Sequence, residues 1–319
     1  MRNDKIKDIF SFLLRAGLSV LLLWYLFQKI DFAKVVETVK GADLVCILGA
    51  FVIFLLINFI LFLRWMLYLK AFVLKIPLKV LIRFYGIGLL GNLFLPSAIG
   101  GDVIKIIGLC RYNPDRARIV ASVLLDRLSG FAGMVVVAVI SITAGYRWIA
   151  DGSLLIFVGL MAGASLAIGA VLFNERIYEF CCRIFSCLPK IKDRLMRLQH
   201  DIALLKGGRS VFYKAIGISC CVQVLSAALW FFIGKALHQP IALIYLIIFL
   251  PLICVASSVP SLGGLGVREA GAAFLLAKVG VSSATAVSIS LMTFVFMVVA
   301  GLLGGVYFLS SASTARDID

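Results

Sequence analysis

The sequence predicts an all-α, polytopic integral membrane protein. Three observations predict it. Of the 319 residues, 62% are hydrophobic and 15% are charged, whereas soluble domains are about 45–50% apolar and about 25% charged. Mean hydropathy is +1.09, so there is too little polar surface to cover a soluble fold. The apolar residues come in unbroken runs long enough to cross a bilayer as helices, not in the alternation of a β-barrel. Finally, the cations collect in alternate loops, as they do in multi-pass proteins.

The elements follow in order. Ile9–Gln28 is the first run. Basic residues precede it and no small-residue cleavage site follows, so it reads as an anchor and not a removed signal. Leu44–Leu69 is the second span. Phe84–Cys110 is apolar but interrupted by Pro and paired Gly. Its arms, Phe84–Leu95 and Asp102–Cys110, have 12 and 9 residues. At about 1.5 Å per residue each reaches half of a bilayer core, which predicts a re-entrant hairpin. Ile119–Ala144 and Leu154–Phe173 are full-length spans.

Residues 174–210 carry Ile177, Phe180, Ile184, Leu188, Ile191, Leu195 and Leu198 at helical spacing, with Arg and Lys between them. That pattern predicts a basic amphipathic linker on the cytoplasmic face. It either lies on anionic lipid or docks a cytoplasmic protein partner. Val211–Gly234 spans again. Ile241–Gly280 is a second broken region, whose first arm Ile241–Val259 is long enough either to cross or to turn back. Ala284–Leu309 is the last span. The total is about six full spans and two broken hairpins in a single membrane domain, 1–319.

Residues 2–15, 64–83, 105–118 and 174–210 carry four, five, four and eight basic side chains. With Lys214 and Arg316 these make 23 cations on one side, against six on the other. Both termini are therefore expected in the cytoplasm, in a multi-pass protein of the cell (inner) membrane. The same bias explains the net charge of +15 without nucleic acid.

The two broken regions share a pattern. Leu95-Pro96-Ser97-Ala98-Ile99-Gly100-Gly101-Asp102 runs on to Lys105. Val259-Pro260-Ser261-Leu262-Gly263-Gly264-Leu265-Gly266-Val267 runs on to Arg268. Pro96 and Pro260 are 164 positions apart, and the flanking spans keep nearly that offset. The chain therefore reads as a duplication, 44–145 and 211–310, each span, broken hairpin, span. A hairpin returns the chain to the side it left, so the two halves have inverted topology. That arrangement is common in transporters, with sites where discontinuous helices meet.

The turns carry the candidate site. A helix tends to stop before Pro, paired Gly allow a sharp reversal, and a new helix is expected near Asp102 and near Leu265. Its N-terminus would favour an anion, with Lys105 and Arg268 one turn in. The candidate substrate-binding residues are Pro96, Ser97, Gly100, Gly101, Asp102, Lys105, Asp126, Arg127, Pro260, Ser261, Gly263, Gly264, Arg268 and Glu269. The alternative is tight packed turns with snorkelling cations. Asp102, Asp126 and Glu269 either handle a proton or balance Lys105, Arg127 and Arg268, and Asp102 also suits a helix cap. Arg15 and Arg64 are read as snorkelling to the surface. Gly159-x-x-x-Gly163 and Gly301-x-x-x-Gly305 are read as close helix packing.

Other chemistry lacks residues. There is no Gly-x-x-x-x-Gly-Lys-Ser/Thr loop. The two histidines, His200 and His238, lie outside the apolar runs. Neither a metal cluster nor a Ser-His-Asp set is evident. The eight cysteines fit no zinc pattern, and no external stretch holds one. We therefore expect no metal, no cofactor and no catalytic residue.

Leu95-Pro96-Ser97 with Gly100-Gly101-Asp102, then Asp126-Arg127-Leu128, then Pro260-Ser261 with Gly263-Gly264-Leu265-Gly266-Val267-Arg268-Glu269 resemble the lysylphosphatidylglycerol synthase transmembrane-region family, also called flippase-like domain proteins. The resemblance covers nearly the whole chain. In bifunctional members a soluble aminoacyl-transferase domain follows. This sequence ends at Asp319 soon after its last span, so the resemblance implies lipid translocation and not lysyl-lipid synthesis. The expected substrate is an anionic lipid, such as a phospholipid or a polyprenyl-phosphate carrier. The alternatives are a membrane enzyme on a lipid-linked substrate and a non-catalytic subunit docking through 174–210.

Overall fold

A computed structural model of the chain describes residues 40–94, 100–145, 159, 163, 208–239, 241–256 and 266–316. These form helices joined by turns, with no strand among the described residues. Four helices are long and apolar enough to cross a bilayer: Leu44–Ala71, Arg116–Ser141, Ser210–Ala236 and Ser283–Phe308. They match four of the expected spans. Ile9–Gln28, Leu154–Phe173 apart from Gly159 and Gly163, and nearly all of the 174–210 linker lie outside the described residues.

Helix α1 is Leu44–Ala71. Asp43 opens it by accepting the Val45 N–H at 2.9 Å, and that bond holds the Asp43 carboxyl below its ordinary value. The helix closes on a bond from Leu74 N–H to the Leu69 carbonyl at 3.0 Å, with Val73 at φ 57. This is the six-to-one helix ending, here without its usual glycine. Helix α2, Leu78–Phe94, starts directly after Pro77, whose carbonyl accepts from Val80 and Leu81.

Helix α3 is Gly100–Leu109, and α4 is Arg116–Gly145. Helix α5, Gly208–Ala236, ends as α1 does: Gln239 N–H bonds the Gly234 carbonyl at 2.9 Å and His238 takes φ 56. Val73 and His238 are the non-glycine residues with positive φ among those described. Helix α6 is Leu243–Ala256, with Pro251 inside it. Helix α7 is Val267–Ala277 and α8 is Ser283–Arg316. The order long, short, short, long thus occurs twice.

One length differs from expectation. Helix α2 has 17 residues, about 26 Å, close to a full bilayer core and not half of one. Lys79 and Arg83 made its first turns read as a basic loop. Arg83 in fact lies 4.5 Å over the Phe308 ring, so its charge is held against aromatic surface. Helix α3, with 10 residues, is as short as expected. Helix α6 has 14 residues, about 21 Å, and the rest of the expected arm, to Val259, lies outside the described residues.

The chain divides into two compact units. The first takes in the chain up to Asn58, Pro77–Gly108 and the chain from Val224 onward. Within it α8 packs on α2 and α7, and α6 packs on α7. The α2–α8 contact is glycine on glycine: a β-carbon on Gly86 would stand 3.0 Å from the Gly304 Cα. Gly301 and Gly305 meet Leu90 on the same face, so the expected packing role of this pair holds. Among the described residues nothing lies within 4 Å of a β-carbon on Gly159 or Gly163, and the rest of the span that holds them lies outside the described residues. Phe51, Phe54 and Phe296 form an aromatic cluster, with the Phe51 and Phe296 rings 5.2 Å apart.

The second unit holds Phe59–Ile76 and Leu109–Gln223. Its core joins Tyr68 and Ala71 of α1 and Phe72 just after it with Ala121 and Leu125 of α4 and Ala215 of α5. Gly133 lets α4 approach α5, since a β-carbon there would overlap Ser219.

Candidate functional site

Two buried charge pairs lie on the two short helices α3 and α7, both in the first unit. The first is built on the α2–α3 hairpin. Gly88 and Gly91 of α2 leave room for α3, and a β-carbon on Gly101 would overlap the Gly88 carbonyl oxygen. Glycine is needed here for close approach, and Gly100 and Gly101 are the first described residues of α3. The Gly101 N–H donates to Asn92 Oδ1 at 3.0 Å. A side chain of the opposite arm therefore takes one of the free donors at this helix start.

Asp102 sits in the first turn of α3. Lys105, one turn on, donates to Asp102 Oδ1 at 3.2 Å. Its Nζ lies 4.7 Å from the centre of the Tyr85 ring, and its stem crosses Gly88. Tyr85 is anchored by its hydroxyl, which donates to the Asn58 carbonyl at 3.0 Å. Both charged residues are buried, Asp102 at 3% exposure and Lys105 at 8%. The pair is thus desolvated together, so neither charge is left unbalanced in an apolar surround.

The second pair opens α7. Gly266 takes φ 86, a region in which a side chain is strained. Its N–H donates to Glu269 Oε2 at 2.7 Å. The other oxygen, Oε1, accepts from Arg268 Nη2 at 3.0 Å, from Arg268 Nε at 3.3 Å and from Ser290 Oγ at 2.7 Å. Arg268 also donates to the Ser290 hydroxyl and carbonyl on α8 at 2.8 and 3.2 Å, and faces Met297 Sδ at 3.5 Å. Glu269 has no exposed surface.

The two pairs differ in detail. In α3 the acid precedes the cation by three positions, and in α7 it follows directly. The common feature is a carboxylate at the start of a short buried helix, neutralised by the cation that the sequence marked as an anion ligand.

Asp126 is placed differently from expectation. Its partner is Arg64 of α1, whose Nε donates to Asp126 Oδ1 at 2.7 Å, and not the adjacent Arg127, which is half-buried. Arg64 does not snorkel: it is 6% exposed, and its Nη1 donates to Ser219 Oγ on α5 at 2.7 Å. Pro96, Ser97, Pro260, Ser261, Gly263 and Gly264 lie outside the described residues.

Sequence reasoning missed Arg64, Asn92, Gly266 and Ser290. One of them left a signal: Gly266 with Glu269 three positions on has the spacing of a capping box. Among the described residues, no group of three or more His, Cys, Asp or Glu could hold a metal ion.

The family model for the lysylphosphatidylglycerol synthase TM region matches residues 12–305. No curated protein gives a match.

Proposed function

The chain belongs to the lysylphosphatidylglycerol synthase TM-region family, and we propose that within the membrane it translocates an anionic lipid or lipid-linked substrate. The observation that carries this reading is the pair of short helices α3 and α7, each opening on a buried ion pair. Ionisable groups at membrane depth are costly and usually mark a pathway. Short broken helices in corresponding places of two halves are where transporters build their sites. The matched endings of α1 and α5 and the repeated order of helix lengths support the duplication, and with it the inverted topology.

In this reading Asp102 and Glu269 balance the cations while no headgroup is present. A passing phosphate then takes over as partner of Lys105 or Arg268. Arg268 suits a planar two-oxygen contact, while Lys105 acts as a point charge beside Tyr85. The three described intramembrane carboxylates, Asp102, Asp126 and Glu269, each face a cation. That arrangement favours a carrier over an enzyme that needs two carboxylates for acid–base work. Both termini lie in the cytoplasm of a cell (inner) membrane protein.

The test is reconstitution into vesicles with fluorescent phosphatidylglycerol in both leaflets and a membrane-impermeant reductant outside. Translocation makes the inner-leaflet half reducible. A reducible fraction equal to that of protein-free vesicles would reject the reading for this lipid class.

A further inference from the structure

The second unit holds a polar cluster of its own, drawn from three long helices. Helix α1 supplies Arg64 and Tyr68, α4 supplies Asp126, Ser129 and Gly130, and α5 supplies Ser219 and Gln223. The spacing of three or four within each helix puts these residues on one face. Gly130 makes room, since a β-carbon there would stand 3.1 Å from Arg64 Nη1.

The cluster is deep. From its nearest helix end each of Arg64, Asp126 and Ser219 lies about 10–16 Å along the axis. Those three ends come together in the core around Tyr68, Ala121 and Ala215. They carry the exposed cations Lys70, Arg116 and Lys214, which draw anions towards this end of the unit.

Its hydrogen bonding is incomplete. A guanidinium has five N–H donors. Arg64 uses Nε on Asp126 and Nη1 on Ser219, and Nη2 has no hydrogen-bond partner among the described residues. The Tyr68 hydroxyl is fully buried and has none either. Ser129, which faces it, donates to the Asp126 carbonyl at 2.9 Å instead. Gln223 Oε1 is likewise buried without a partner. Buried polar atoms of this kind destabilise a fold and call for an explanation. The open groups are two donors, Arg64 Nη2 and the Tyr68 hydroxyl, and one acceptor, Gln223 Oε1, and two donors on and beside a cation match an oxyanion. Asp126, at 17% side-chain exposure, leaves the cluster open on its side.

We propose that this cluster binds a phosphate group, to which Arg64 Nη2 and the Tyr68 hydroxyl donate. Asp126 balances the charge of Arg64 while the site is empty. Gln223 Oε1 accepts from a hydroxyl of the guest. The phosphate belongs either to a lipid headgroup or to the free ion. Translocation is not required: a protein that only held phosphate here would show the same binding.

The full-length protein in detergent is titrated with inorganic phosphate, with dioctanoyl phosphatidylglycerol and with phosphate-free dioctanoylglycerol, and its melting temperature is recorded. The expected result is binding of the phosphate lipid, with or without the free ion, and none of dioctanoylglycerol. Binding of both identifies phosphate itself as the guest, and binding of the lipid alone identifies the headgroup. Tyr68→Phe should weaken that binding about 5- to 10-fold while leaving the melting temperature equal or higher, because a buried unpaired hydroxyl has gone. Arg64→Lys should weaken it at least as much, since the fork is lost. Equal affinity for dioctanoylglycerol, no binding by either phosphate probe, unchanged affinity in Tyr68→Phe, or a lower melting temperature in Tyr68→Phe would each overturn the proposal.

Discussion

Arg64 Nε donates to Asp126 Oδ1 at 2.7 Å, joining α1 to α4 across 62 positions of the chain. Helices of a membrane protein gain little from apolar contact with each other, because lipid offers the same contact. A buried ion pair with an added bond to Ser219 is therefore a main determinant of how these helices meet. Removing one partner leaves an uncompensated charge, a loss of about 3–5 kcal/mol.

Arg64→Met and Asp126→Leu should each lower the melting temperature of the purified protein sharply. The double variant should recover most of the loss, because neither charge remains. A double variant that loses the sum of the two single losses would show that the two residues act independently.

Glycine contacts between α2 and its neighbours give a second expectation. Gly86→Leu, Gly304→Leu and Gly101→Val should abolish the yield of folded protein, since each new side chain enters backbone. Gly217→Leu should express normally, as Gly217 is exposed and no described residue lies within 4 Å of a β-carbon there. Size-exclusion profiles after solubilisation read the difference, and a normal profile for Gly304→Leu would contradict the packing described.

Asn92 caps the start of α3 from the opposite arm of the hairpin. Asn92→Ala should cost about 0.5–2 kcal/mol, with the loss confined to the hairpin. Hydrogen exchange should rise at Gly101 and Asp102 and stay unchanged in α4. Uniform exchange across both regions would mean that Asn92 does not act as a cap.

The cation count predicts the membrane orientation. An impermeant thiol reagent applied from outside should label cysteine placed at Ala150 or His238, but not at Lys192 or Thr314. Labelling at Lys192 would reverse the orientation. Placement of Tyr146 and His238 on opposite sides would remove the inverted repeat.

Much of this was legible because apolarity is local. Leu44–Leu69 is read off the sequence and ends within two residues of α1. The Lys105–Asp102 pair is legible too, since positions three apart on a helix are neighbours. What stayed hidden depends on a second helix. Arg64 was read as a snorkelling cation because its carboxylate is 62 positions away. Arg268 was left beside Glu269 because nothing local points to Ser290. The first turns of α2 were hidden by Lys79 and Arg83, whose charge lowers hydropathy although Arg83 lies against Phe308.

The most direct test of the transport reading is headgroup translocation in vesicles by Lys105→Gln, Arg268→Gln, Asp102→Asn/Lys105→Gln and Arg268→Gln/Glu269→Gln. If the cations receive the headgroup, each single variant should lose about 10- to 150-fold in lipid affinity, the worth of one charge-assisted hydrogen bond. Translocation should fall with it, and Lys105→Arg should be milder. The double neutralisations should stay as inactive as the singles, because balancing the charge does not restore a phosphate ligand. Full recovery of translocation in both doubles would contradict the account and leave the two pairs as internal supports of α3 and α7.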